Sequence, residues 1–151
     1  MFRSGWFKKL REPRPNPGEA PLRILVLSKF LEDRFPLERL ADEHGWELRF
    51  INSPQLGFRL LANSVFDVIL CDCNQTGYPW REVLDRLSAD SPRSCILLIS
   101  AVNDDYLWGE VIRHGGYDVV TRPLREESLL RAIQAAGRFL APLSGFPSRF
   151  G

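Results

Sequence analysis

Five short aliphatic runs, each followed by a longer amphipathic stretch, constrain the fold of this chain more than any other feature. The runs fall at residues 22–27, 46–51, 66–72, 95–100 and 117–121. Most are almost unbroken in apolar character, as parallel strands buried on both faces must be. The second alternates and reads as a sheet edge. The stretches between them carry apolar residues at helical spacing and predict helices at about 37–44, 55–62, 80–89, 105–114 and 125–140. Gly45, Gly115 and Gly116 stand where helix-ending glycines do. Five βα units joined by right-handed crossovers predict a three-layer α/β sandwich with helices on both faces of one parallel sheet.

At 151 residues and 44% hydrophobic content, the chain suits one domain, expected at 22–141. The segment 1–21 holds Pro13, Pro15, Pro17, Gly18 and Pro21, which support neither helix nor central strand, and reads as a basic tail. Within it Phe2, Trp6, Phe7 and Leu10 alternate with Arg3, Lys8, Lys9 and Arg11. That pattern suits either a short basic amphipathic turn or a frayed terminus. The tail 142–151 is too short for an effector domain. Twenty basic against nineteen acidic residues give a formal charge of +1, which implies no bulk attraction to nucleic acid. Cys71, Cys73 and Cys95 lie in or beside apolar runs and argue against a disulfide framework, so a reducing cytoplasm is expected. No run reaches the roughly 20 residues that a membrane span requires.

Asp72 ends the third run and is followed by Asn, Gln, Thr and Gly, which places its carboxylate in the crevice where open α/β sheets concentrate their chemistry. Ser28 and Lys29 leave the first run at the same end. On this reading the site gathers an acid and a base, with no second acid. No glycine-rich loop follows the first strand, so nucleotide readings lose their main support. His44 and His114 fall at predicted helix ends, without neighbouring ligands. Cys71 and Cys73 should point away from Asp72; core packing is the reading of both, with a thiol sensor as the alternative at Cys73.

Three segments then combine: Asp67-Val68-Ile69-Leu70-Cys71-Asp72 with Asn74, Leu97-Leu98-Ile99-Ser100-Ala101, and Gly115-Gly116-Tyr117-Asp118-Val119-Val120-Thr121-Arg122-Pro123-Leu124. Over about residues 23–140 the chain resembles the receiver domain of bacterial two-component response regulators. That family has a flavodoxin-like fold with strand order 2-1-3-4-5. The resemblance implies that Asp72 is the phosphoacceptor position and that Asn74 is the loop position whose carbonyl helps to hold Mg²⁺. Arg122 stands for the phosphoryl-contacting lysine. Ser100 matches the hydroxyl that swings on activation, or is a strand-end hydroxyl bonded to backbone. A cis peptide is implied before Pro123. The family docks and dimerises through its fourth helix, fifth strand and fifth helix, which makes Tyr106, Trp108, Tyr117 and Val119 the candidate interaction residues. Strand alternation would put Tyr117 on the same face as Val119.

The departures matter as much as the matches. Receivers end the first strand with two acids that bind Mg²⁺; here stand Ser28 and Lys29. Unit charges about 4 Å apart interact by roughly 4 kcal/mol at an effective dielectric of 20, so Lys29 should repel a divalent ion. Lys29 is therefore expected to act as counter-ion to Asp72 and to lower its pKa. Glu32 and Asp33 are the acids that would have to fold inward to restore a metal site with Asp72; the competing reading makes them caps of the first helix. No cofactor is expected, Mg²⁺ being the one candidate. The expected function is a non-enzymatic, stand-alone signalling receiver. It would dock on a sensor kinase, another regulator or a target protein, with impaired Mg²⁺-dependent phosphorylation. The alternatives are a phosphorylatable regulator using Asp72 and a small-molecule or flavin-binding module.

Overall fold

The computed structural model describes residues 20–140. The segment from Phe2 to Leu10 and the tail 142–151 lie outside them. Ten elements alternate in order: β1 Arg23–Leu27, α1 Leu31–His44, β2 Glu47–Ile51, α2 Pro54–Leu61, β3 Val68–Asp72, α3 Trp80–Asp90, β4 Cys95–Ser100, α4 Asp105–Arg113, β5 Asp118–Thr121 and α5 Glu126–Leu140. The strands are all parallel and run in the order β2-β1-β3-β4-β5. This is the flavodoxin-like arrangement that the resemblance implied.

Strand periodicity sorts the core into two layers. Ile24, Val26, Val68, Leu70, Leu97 and Ile99 face α1 and α5, whereas Leu25, Leu27, Ile69, Cys71, Ile96 and Leu98 face α2, α3 and α4. β1 and β3 are buried on both sides from Ile24 to Leu27 and from Val68 to Asp72. Each such aliphatic side chain stabilises the fold by about 1.5–3 kcal/mol. β2 is half-buried along its length, as an edge strand should be.

Helix boundaries moved most at α1. The sequence places its start after Pro36, yet the helix begins at Leu31 and carries Pro36 inside. Proline there forfeits one backbone bond in an early turn. The turn before it has other anchors, namely a backbone bond from Asp33 N–H to the Phe30 carbonyl and the buried side chain of Asp33. At the far end Gly45, at φ 74°, closes the helix by bonding back to the Ala41 carbonyl at 2.8 Å.

Strand alternation does not reach Tyr117. β5 starts at Asp118, so Tyr117 packs with the α1/α5 layer while Val119 lies in the opposite layer. Val119 is also buried, at 7% exposure, and drops out as an interaction residue.

Candidate functional site

The site forms at the carboxyl end of the sheet, where three elements deliver one side chain each to the α1/α5 face. Asp72 continues the phase of Val68 and Leu70, and Arg122, one residue past β5, continues that of Val120. Asp33 arrives from the first turn of α1. It stands in helical phase with Leu37, Leu40 and Ala41, all buried. Extending that stripe back across Pro36 is the sequence signal that separates Asp33 from its exposed neighbour Glu32.

Arg122 joins the two acids. Its Nε donates to Asp33 Oδ1 at 3.1 Å, its Nη2 to Asp33 Oδ2, and its Nη1 to Asp72 Oδ1 at 3.1 Å. The Ser28 hydroxyl donates to Asp33 Oδ2 at 2.7 Å and accepts the Phe30 N–H at 3.1 Å. The Phe30 ring lies 4.6 Å from the guanidinium carbon and covers its face. Asp33 and Asp72 are 1% and 0% exposed. The Arg122–Pro123 peptide bond is cis.

Two expectations are corrected here. A second acid is present, and the counter-ion is Arg122, not Lys29. Lys29 is exposed, and its Nζ donates to Thr76 Oγ1 at 3.1 Å. The residue begins the loop into α1, where its long stem stays in solvent. Glu32 is exposed as well, so of the two acids past Lys29 only Asp33 turns inward.

The expected direction of the Asp72 pKa is also reversed. Burial pushes its carboxyl above the ordinary aspartate range, against the charge and hydrogen bond of Arg122 and the Asn74 N–H, and nearby Asp33 raises it further. Desolvation opposes the charge of Arg122, but the bonds and charges of Asp33 and Asp72 outweigh it and hold the guanidinium above its ordinary value. Asp72 Oδ2 is buried without a hydrogen-bond partner.

Asn74 is exposed, while Gln75, which sequence reasoning passed over, ties the loop down. Its Nε2 donates to the carbonyls of Leu27 at 3.2 Å and Asp72 at 2.8 Å, pinning β1 to β3. Ser100 is buried and faces away from Asp72. Its Oγ accepts the Val102 N–H at 3.1 Å and contacts the Cys73 thiol. Cys71 is buried in the α2/α3/α4 layer and Cys73 packs against it half-buried, and burial raises the pKa of both thiols.

The donor set does not fit a magnesium ion. Mg²⁺ takes near-octahedral hard oxygens, yet both Asp33 oxygens and one Asp72 oxygen are already engaged by Arg122. Among the described residues no group of three or more His, Cys, Asp or Glu could hold a metal.

The two histidines lie away from this site. His44 stacks on Trp46 with ring centroids 5.3 Å apart. His114 joins a second polar cluster between α3 and α4, bonding Asp85 at 2.8 Å through Nδ1 and lying 3.8 Å from Glu110 through Nε2. Glu110 accepts from Arg81 Nε at 2.8 Å and pairs with Arg113 Nη1 at 3.0 Å.

No protein-family model matches the chain. It is 27% identical over 117 residues to Protein PilH of Pseudomonas aeruginosa, covering 75% of this chain and 95% of that protein. It is 23% identical over 113 residues to the transcriptional regulatory protein ZraR of Escherichia coli, of which it covers 26%. The chemotaxis response regulator CheY4 of Vibrio cholerae superposes with a TM-score of 0.70 at 17% identity, covering 78% of this chain and 99% of that one. The signal receiver domain of an HD domain-containing protein from Pseudomonas fluorescens gives 0.73 at 19% identity, covering 82% and 92%. The beryllofluoride-activated NtrC4 receiver domain dimer gives 0.72 at 19% identity, covering 78% and 98%. The resemblance to response-regulator receivers stands, and the fold is the receiver fold.

Proposed function

We propose that this chain acts as a receiver in a two-component signalling system, cytoplasmic and non-enzymatic, and that it works by docking on protein partners. The observation that carries the reading is the Arg122 bridge. The residue at the phosphoacceptor position is already bonded to an internal cation that also grips Asp33. A carboxylate attacking a phosphoryl donor needs a free oxygen and stabilised charge on the incoming group. Asp72 offers only Oδ2, and its nearest cation is committed to two acids.

Docking has surface to use. On α4, Tyr106 is 70% and Trp108 47% exposed, and such aromatics are favoured contact residues. A groove of about 630 Å³ runs along β5 and α5, lined by Arg122, Arg125, Ser128 and Arg131 among others. Homodimerisation through α4, β5 and α5 would use the same face. Among the described residues no helix is long and apolar enough to cross a membrane.

The test is incubation of the purified protein with a small-molecule phosphodonor and Mg²⁺, followed by intact-mass measurement. Unmodified protein is expected. Stoichiometric labelling lost in Asp72→Asn would instead establish a phosphorylatable regulator.

A further inference from the structure

We infer that Arg122 is the resident cation of this site and that its guanidinium keeps a divalent metal out. The inference rests on the receiver reading, because only there is a metal expected between these elements. Three observations support it.

The first is occupancy. The Asp33 carboxylate receives two parallel N–H bonds, the arrangement that a planar guanidinium matches and an ammonium does not. The third nitrogen reaches Asp72, so the two acids share one cation between them. The second is rigidity. The Phe30 ring lies against the guanidinium, and the Arg122 side chain is 14% exposed, so the group is packed in place and does not sweep through solvent. The third is the lack of any vacancy on Asp33, since Ser28 adds a further donor to the oxygen that Nη2 already uses.

A metal entering here would have to strip these donors from Asp33 while facing the fixed positive charge of Arg122. Lys29, bonded to Thr76, takes no part. The site is therefore internally neutralised to a net charge of one negative unit, counting Asp33, Asp72 and Arg122.

The arginine, and not the absence of first-strand acids, is what excludes the metal. Asp33 stands in for one of those acids once Arg122 lets go. The experiment is a Mn²⁺ titration of wild type and Arg122→Lys, followed by paramagnetic broadening of backbone amides near Asp33 and Asp72. Wild type should show no saturable broadening at millimolar Mn²⁺. In Arg122→Lys, whose point charge cannot bridge both carboxylates, apparent affinity should rise on the order of tenfold or more. Saturable broadening in wild type that is lost in Asp72→Asn would overturn the inference. So would a folded Arg122→Lys protein that still fails to bind.

Should that variant not fold, the Nε–H resonance of Arg122 in wild type decides. It should stay protected and unshifted as Mg²⁺ is added, and a saturable shift would overturn the inference. Metal binding would leave the docking reading to the phosphodonor assay, and labelling of Asp72 without metal binding would sink that reading alone.

Discussion

Two buried carboxylate clusters in this molecule have inverse compositions. At the end of the sheet one arginine serves two acids, Asp33 and Asp72; between α3 and α4 one acid, Glu110, serves two arginines, Arg81 and Arg113. Their pKa values move in opposite directions. Burial raises Asp72, whereas the hydrogen bond from Arg81 lowers Glu110, with desolvation opposing and the charges of Arg113, Arg81 and His114 adding to it. Depth explains the rest. Glu110 has little open surface because side chains lie over it near the exterior, while Asp72 is sunk between strands with an unpartnered oxygen. A carboxylate's neighbours and its depth set its behaviour together, and the presence of an arginine alone decides neither.

The largest effect is expected at Arg122. Arg122→Ala leaves two buried carboxylates without their cation and should cost about 3–5 kcal/mol in chemical denaturation. A loss below about 1 kcal/mol would mean that Asp72 simply takes up a proton. Asp33→Asn comes next, at about 1.5–3 kcal/mol, since it weakens hydrogen bonds to a charged partner and the anchor of the first α1 turn.

Asp72→Asn should be near neutral or stabilising at pH 7, and it should flatten one part of the pH profile. The folded-state pKa of Asp72 is raised, so the native state binds this proton more readily than the unfolded chain does. Its contribution is greatest below the ordinary aspartate value and is lost as pH rises through the folded value. Glu110→Gln sharpens the contrast with the smallest effect. Its lowered pKa gives stability that is present above the ordinary glutamate value and lost as pH falls through the folded one. That slope should shrink in high salt, because Arg81 and Arg113 are 40% and 73% exposed. Urea denaturation across pH at two salt concentrations measures both.

The sheet was legible in the sequence because β1, β3 and β4 are buried on both faces and therefore nearly free of polar interruptions. Asp72 was legible for a related reason, as the charged group that ends such a run, whereas Arg122, past the short and partly exposed β5, was legible only through the family resemblance. Asp33 was legible only as one of two acids that could fold inward. Pro36 reads as a boundary, and a charge just before a proline looks like a cap; helical phase with Leu37 and the bonds from Ser28 and Arg122 turn Asp33, and not Glu32, inward. Lys29 was misassigned because adjacency in sequence to a strand end does not fix where a flexible four-carbon stem points, and Thr76 offered it a partner in solvent. Val119 and Tyr117 parted because Tyr117 lies ahead of β5, just past the Gly115 turn at φ 94°, where the backbone still bonds Ile96 but has not settled into the strand's alternation.

The Arg122 bridge also bears on how the chain folds. Asp33 and Arg122 lie 89 residues apart, so their contact closes most of the domain into one loop. Such closure carries a large entropy cost until the intervening strands have paired. The bridge should therefore form after the rate-limiting step, and weakening it should speed unfolding while leaving the refolding rate almost unchanged. In kinetic terms it is a late latch, one that sets how long the native state lasts more than how quickly it is reached.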